Sequence, residues 1–229
     1  MTIPIKGFLE TSFLDWPGKI CSVLFLPYCN FRCPYCHNHS LIYRPEQYLT
    51  IRLAEVFERL RPFRGWIDGI CLTGGEPTLH PELPLLAGEI RKQGFLVKLD
   101  TNGSNPEMLE RLIREEKVQF VSMDVKAPLD LFSYRSATGR AVDLNPILKS
   151  IEILKRGCVE YLFRMTVVPG LHREEDVRTL GHQLAAGTSF ILQNFNPENP
   201  LDPGFAKIRP YDPGRLKEME RDVQQMGYP

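Results

Sequence analysis

At 229 residues, 43% of them hydrophobic, the chain is long enough for one substantial core, and one α/β domain would use all of it. Its 28 basic and 28 acidic residues cancel, which excludes a global electrostatic pull towards nucleic acid or an anionic membrane. No apolar run approaches the roughly 18 residues of a membrane helix, and Met1–Lys6 has neither the charged nor the apolar region of a signal peptide, so the expected location is cytoplasmic.

From residue 20 onward, short β-branched runs alternate with longer amphipathic stretches. That alternation predicts repeated βα units around a parallel sheet. Strands are predicted near Ile20–Leu26, Ile67–Leu72, Phe95–Thr101, Gln119–Val125, Tyr161–Val168 and Phe190–Phe195. Helices are predicted near Ile51–Arg61, Pro81–Lys92, Pro106–Glu116, Pro146–Lys155 and Glu174–Ala186, with a last one near Pro213–Gln225. Thr50, Asn105, Asn145 and Asp212 stand where N-caps are expected, each just ahead of a proline or a helix former. Pro128–Val142, carrying Tyr134, Arg135 and Arg140, is predicted as a long loop, either solvated or partner-binding. The proline-rich stretch Asn196–Gly204 is predicted as a loop over one edge of the sheet.

This pattern reads as a single domain over residues 1–229. It comprises an N-terminal lead-in (1–19), six βα units (20–195), and a loop with the C-terminal helix (196–229). Six strands followed by six helices fit a partial (β/α)6 barrel with outer helices, and periodicity alone fits an open doubly wound sheet as well. In both, function gathers at the C-terminal strand ends.

Three of the six cysteines crowd into Cys29-Asn30-Phe31-Arg32-Cys33-Pro34-Tyr35-Cys36-His37-Asn38-His39, spaced CxxxCxxC, directly after the first predicted strand. Loop residues between the ligands let three sulfurs converge on a metal centre. Three thiolates are one short of a closed site, because structural zinc takes four ligands and iron–sulfur clusters usually take four thiolates. The spacing leaves three readings open: a [4Fe–4S] cluster with one open iron, a Cys3His zinc knuckle using His37 or His39, or unliganded core thiols. Cys21, Cys71 and Cys158 each sit in an apolar, strand-like run and are expected to be buried, reduced thiols.

The other polar clusters also fall at predicted strand ends: Thr73-Gly74-Gly75-Glu76-Pro77, Asp100-Thr101-Asn102-Gly103 and Asp124-Val125-Lys126, with Arg164 in the fifth strand and Gln193 and Asn194 in the sixth. That alignment points to one shared site. Gly74 and Gly75, lacking Cβ, leave room for a ligand to approach the backbone. Asp100 can accept from ligand donors or hold a cation, and Lys126 can pair with a carboxylate. Arg164 is a charge in an apolar strand and needs a partner, whether a ligand, Glu160 or a helix end. Thr101-Asn102-Gly103 also fits a plain turn and cap. His172 and His182 read as surface or cap residues with no assigned role.

CxxxCxxC with the aromatic Tyr35 before its last cysteine resembles the signature of the radical S-adenosylmethionine (radical SAM) superfamily. The Cys36-His37-Asn38 ending and the lead-in Gly7-Phe8-Leu9-Glu10-Thr11-Ser12-Phe13-Leu14-Asp15-Trp16-Pro17-Gly18-Lys19 resemble, more narrowly, the activating enzymes of glycyl radical enzymes. Within that group the resemblance is strongest to activators of anaerobic ribonucleoside-triphosphate reductase. It covers most of the chain and is loose over the last fifty residues.

The resemblance implies the partial barrel, a [4Fe–4S] cluster on Cys29, Cys33 and Cys36, and SAM bound near Tyr35, Gly74, Gly75, Glu76, Asp100, Asn102, Lys126 and Arg164. It also implies a monovalent cation, with Asp100, Thr101 and Asp124 as candidate ligands. The implied reaction is reductive cleavage of SAM to a 5′-deoxyadenosyl radical, which takes a hydrogen atom from a glycine of a partner enzyme. Extra CxxC motifs are absent, so the electron is expected from a separate donor such as flavodoxin or ferredoxin. Other readings are an activator of pyruvate formate-lyase or another glycyl radical enzyme, a small-molecule enzyme such as 7-carboxy-7-deazaguanine synthase, and a zinc-knuckle binding module.

Overall fold

The computed structural model describes residues 3–184 and 188–225. Its frame is one seven-stranded sheet in chain order: β1 (Gly7–Ser12), β2 (Cys21–Leu26), β3 (Gly69–Gly74), β4 (Leu96–Thr101), β5 (Phe120–Asp124), β6 (Glu160–Val167) and β7 (Phe190–Asn194). β1 runs antiparallel to β2, and every later neighbouring pair is parallel. The six parallel strands are the predicted ones to within about two residues. β1 is an addition: the lead-in, in which no strand is predicted, forms an edge strand whose Leu9 pairs with Val23. Its side chains are mostly half-exposed, so it lacks the apolar run that marks a buried strand.

The sheet curls around its inner face. Alternate residues of a strand point to opposite sides, and Cys21, Val23, Cys71, Phe120 and Leu162 meet on the inside with Trp16. Trp16, in the connection between β1 and β2, and Phe120 of β5 have ring centroids 6.1 Å apart although β3 and β4 lie between β2 and β5 in the sheet. This closure makes a partial (β/α)6 barrel with an apolar floor at the N-terminal strand ends. The larger core lies between the sheet and the outer helices, as Leu24, Leu72, Leu99 and Val121 pack on Leu86, Ile90, Leu109 and Ile151.

Those helices are α1 (His39–Tyr43), α2 (Leu53–Leu60), α3 (Leu83–Lys92), α4 (Pro106–Arg114), α5 (Leu131–Thr138), α6 (Leu144–Lys155), α7 (Glu174–Leu184) and α8 (Pro213–Gln225). Asn105 caps α4 through Met108 N–H at 3.2 Å, and Asp212 accepts Gly214 N–H at 2.8 Å ahead of α8. The other two predicted caps are corrected. Ile51 donates its N–H to Ile5 O at 2.9 Å, which keeps Thr50 and Ile51 out of the helix, so α2 starts at Leu53. Asn145 lies inside α6, where Asp143 is the cap and accepts the Asn145 N–H at 3.0 Å. The α7 prediction extends to Ala185 and Ala186, which lie outside the described residues.

The predicted loop Pro128–Val142 contains α5. Asp130 accepts Ser133 N–H at 2.9 Å at its start, Gly139 ends it at φ 66°, and Tyr134 is fully buried beneath it. Cys158 is exposed in the turn before β6, whereas Cys21 and Cys71 are buried as expected. No helix among the described residues is long and apolar enough to cross a membrane.

Candidate active site

The cysteine loop leaves the end of β2 and lies across the open top of the barrel. Tyr28, with φ 67°, turns the chain, and Cys36 N–H closes on Cys33 O at 3.0 Å. α5 supports the loop from one side: Arg32 donates its N–H to Thr138 O at 2.8 Å. The segment after β7 holds the other side. Asp202 N–H reaches Pro34 O at 2.8 Å, and His37 Nδ1 meets Glu198 O at 2.8 Å. The Asn196–Gly204 stretch is therefore a loop at the barrel mouth, packed on the cysteine loop.

Burial pushes the Cys29 and Cys33 thiols up to about 11; the nearby Glu76 charge adds to the effect at Cys29. Two donors are nevertheless aimed at the Cys29 sulfur, Phe31 N–H at 3.4 Å and Asn102 Nδ2 at 3.8 Å. Protein donors on a buried sulfur suit a thiolate held by a metal. Asn102 also donates to Asn30 Oδ1 at 3.0 Å, and Asn30 donates to Ser104 Oγ at 2.8 Å. Sequence reasoning missed Asn30 because nothing in the CxxxCxxC spacing demands an amide there. Among the described residues, no three His, Cys, Asp or Glu side chains stand close enough to hold a single metal ion. His37, a candidate fourth zinc ligand, is engaged by the Glu198 carbonyl through Nδ1.

The Gly74-Gly75-Glu76 stretch has a different geometry from the one expected. A Cβ at Gly75 would lie 1.9 Å from Tyr28 O, and one at Gly74, φ 114°, would lie 2.5 Å from Leu26 N and O. The glycines let β3 approach the backbone entering the cysteine loop, where Gly75 N–H bonds to Leu26 O at 2.8 Å and Glu76 N–H to Tyr28 O at 2.7 Å. Glu76 is buried, and its two oxygens accept from Thr78 N–H, Thr78 Oγ1, Thr101 Oγ1 and Asn102 N–H at 2.6–3.0 Å. It ties the ends of β3 and β4 together.

Inside the barrel, charged side chains climb from the floor to the mouth in alternating sign. Lys98 is fully buried, bonds to Asp100 Oδ1 and lies 3.7 Å from Cys71 Sγ. Arg164 joins the two carboxylates, with Nη2 3.3 Å from Asp100 Oδ2 and Nε 2.8 Å from Asp124 Oδ1. Lys126 Nζ is 3.0 Å from Asp124 Oδ2. Burial opposes ionisation of Asp124, but Arg164 and Lys126 outweigh it and hold the carboxyl below the usual range. The same balance raises Lys126 and Arg164 and keeps both charged. Arg164 thus finds its partners within the protein, on the adjacent β5 and on β4 beyond it. Lys98 escaped sequence reasoning because a lone lysine in Leu96–Thr101 reads as a solvent-facing residue, and only closure of the barrel buries it.

Of the predicted cation ligands, Asp100 and Asp124 converge on Arg164, and Thr101 is directed elsewhere. Thr101 follows Asp100 on β4 and so points to the other face, where its hydroxyl donates to Glu76 at 2.8 Å. Every oxygen of Asp100 and Asp124 already has a cation against it.

His172 is also corrected: it is 2% exposed, accepts Val168 N–H at Nδ1, and meets Tyr35 edge to face with centroids 6.1 Å apart. Tyr35 Oη and His172 Nε2 are buried without a partner. His182 is exposed, as expected. A cleft of about 380 Å³ opens among these groups, lined by the three cysteines, Tyr35, the β3 and β4 ends, Asp124, Lys126, Arg164, Gln193 and Asn194. Its size lies within the range of cofactor sites.

Comparison with known proteins agrees with this geometry. The family model of the radical SAM superfamily matches residues 23–181. A protein of Methanocaldococcus jannaschii, provisionally named a glycyl-radical enzyme activating enzyme, is 32% identical over 94% of this chain and 89% of its own. The pyruvate formate-lyase-activating enzyme of Clostridium pasteurianum is 27% identical over 97% of this chain and 91% of its own. Among solved structures, methylornithine synthase superposes with a TM-score of 0.64 at 15% identity, covering 86% of this chain and 59% of that one, a likeness of fold. The chain belongs to the radical SAM superfamily, whose cofactors are a [4Fe–4S] cluster and SAM, and within it to the activating enzymes of glycyl radical enzymes.

Proposed function

We propose that the chain installs a glycyl radical on anaerobic ribonucleoside-triphosphate reductase. The observation that carries the reading is the meeting of the three-cysteine loop and the Asp124–Lys126–Arg164 charge cluster in one cleft at the barrel mouth. The family and the lead-in over residues 7–19 support an activase. The choice of reductase over formate-lyase rests on resemblance in the cysteine loop and lead-in.

In this reading, residues 1–229 act as one radical SAM domain. Cys29, Cys33 and Cys36 would hold the cluster. When bound, the cluster and SAM would supply the radical chemistry that removes a hydrogen atom from the partner's glycine. The protein binds, orients and excludes water. Asn102 and the Phe31 amide donate to the Cys29 sulfur and would tune the potential of a cluster held there. Tyr35 and the backbone of Gly74 and Gly75 line the cleft against SAM, with Lys126 and Arg164 offering positive charge to its carboxylate. Asp100 and Asp124 set the position of those cations, and Glu76 holds the Asn102 turn in place. With the cysteines of one cluster only, the electron comes from a separate donor such as flavodoxin or ferredoxin.

The test is anaerobic mixing of the reconstituted protein, SAM and a reductant with an anaerobic ribonucleoside-triphosphate reductase, read by electron paramagnetic resonance. A persistent doublet, split by the remaining glycine α-hydrogen, is the expected result. A doublet only with pyruvate formate-lyase would move the assignment to that partner. Efficient turnover of a free nucleotide or pterin with no partner protein would overturn the activase reading.

A further inference from the structure

The buried end of the charge ladder has no use in the function proposed above. Lys98 sits on the inner face of β4 beneath the cleft, 0% exposed, among the barrel-floor residues Cys21 and Cys71. An ammonium group removed from water this completely is costly unless a carboxylate meets it, and Asp100 Oδ1 does so. Asp100 is also one of the candidate ligands of the monovalent cation that the family resemblance implies. Its other oxygen faces Arg164 at 3.3 Å and Thr73 Oγ1 at 3.2 Å. Asp124 is taken by Arg164 and Lys126, and Thr101 turns its hydroxyl to Glu76. All four carboxylate oxygens of Asp100 and Asp124 are thus engaged, and an alkali-metal ion there would face three protein cations.

From this we infer that Lys98 is a built-in replacement for the monovalent cation: its ammonium neutralises Asp100 from below and so fixes Arg164 between the two carboxylates. The inference rests on the reading of the cleft as the SAM site. Three cations then stand against two carboxylates, and the net positive charge faces the cleft through Lys126 and Arg164. A ligand carboxylate is drawn to that charge with no help from dissolved sodium or potassium. Without Lys98, Asp100 would have an unpaired oxygen above a space the size of a butylammonium chain, which a small cation could enter.

The experiment compares SAM binding by the cluster-reconstituted protein in potassium chloride, sodium chloride and N-methyl-D-glucamine chloride at one ionic strength, by calorimetric titration. The wild-type affinity is expected to agree across the three salts within about twofold. Lys98→Ala is expected to bind about tenfold more weakly in N-methyl-D-glucamine, the size of one lost charge-assisted contact, and to regain most of that loss in potassium or sodium. The melting temperature of the cluster-free variant should follow the same order of salts. Wild-type binding that tightens about tenfold with sodium or potassium would overturn the inference, and that arm does not depend on the variant folding. A folded Lys98→Ala protein that no cation rescues would overturn it as well. Neither measurement uses a partner protein, so failure to find a glycyl radical partner leaves it intact.

Discussion

Glu76 accepts the backbone N–H of Asn102 at 2.6 Å, and this contact fastens the end of β3 to the turn after β4. Asn102 in turn donates to the Cys29 sulfur, so a carboxylate that touches no cysteine sets the position of a donor to one.

Glu76→Ala removes the acceptor from four buried donors and should cost roughly 3 kcal/mol or more in urea unfolding, because unsatisfied buried groups carry their full desolvation cost. Glu76→Gln keeps the shape but turns an amide NH2 towards other donors, and should cost about half as much. Iron content should fall in both variants as the Asn102 turn loosens. An unchanged urea midpoint for Glu76→Ala would contradict this role.

Alanine at Cys29, Cys33 or Cys36 should abolish the cluster's visible absorbance together with SAM cleavage. Cys158→Ala, in an exposed turn, and Cys71→Ala, in the barrel floor, should retain iron. Loss of iron from a folded Cys71→Ala protein would mean that the ligand set is different.

Gly75→Ala tests what the glycine is for. Its Cβ would collide with Tyr28 O, a backbone atom at the entrance of the cysteine loop, so the loop itself must shift. The expected result is poor iron retention, seen before any SAM is added. A variant with full iron and weakened SAM binding alone would instead assign the glycine to ligand approach.

His172 provides a pH test. Burial holds its imidazole at about 4, below the ordinary 6.5, so the folded protein favours the neutral ring. A depressed histidine pKa contributes stability above the unfolded value, and this is lost as pH falls from 6.5 to about 4. The shift corresponds to about 3 kcal/mol over that window. His172→Asn, which can still accept the Val168 N–H, should flatten the stability profile between those pH values. Paired carboxylates such as Asp124 titrate lower and should leave this window unaffected. Equal slopes for wild type and variant would refute the assignment.

Much of the architecture was legible in the chain because it rests on local signals. Strand and helix alternation gave the βα order, Asn105 and Asp212 announced their helices, and CxxxCxxC after a strand marked the cleft. Errors arose where a neighbour outbid a local preference. Ile5 drew Ile51 into a bridge, Asp143 capped α6 ahead of Asn145, and Asp130 with Gly139 bounded a helix in a stretch that read as loop.

The sequence by itself determined which residues reach the barrel mouth, since a parallel βα chain brings every C-terminal strand end to one side. Only the tertiary structure decided what those residues touch there. Asp100 and Thr101 are adjacent in sequence yet face opposite sides of β4, the first towards Lys98 and Arg164, the second towards Glu76. Arg164 stands between two carboxylates 40 and 64 positions earlier in the chain, on β5 and β4. No spacing rule reaches across those distances. The pairings follow from the pleat, which sorts side chains by face, and from closure of the sheet, which removes water and makes each buried charge find an opposite one.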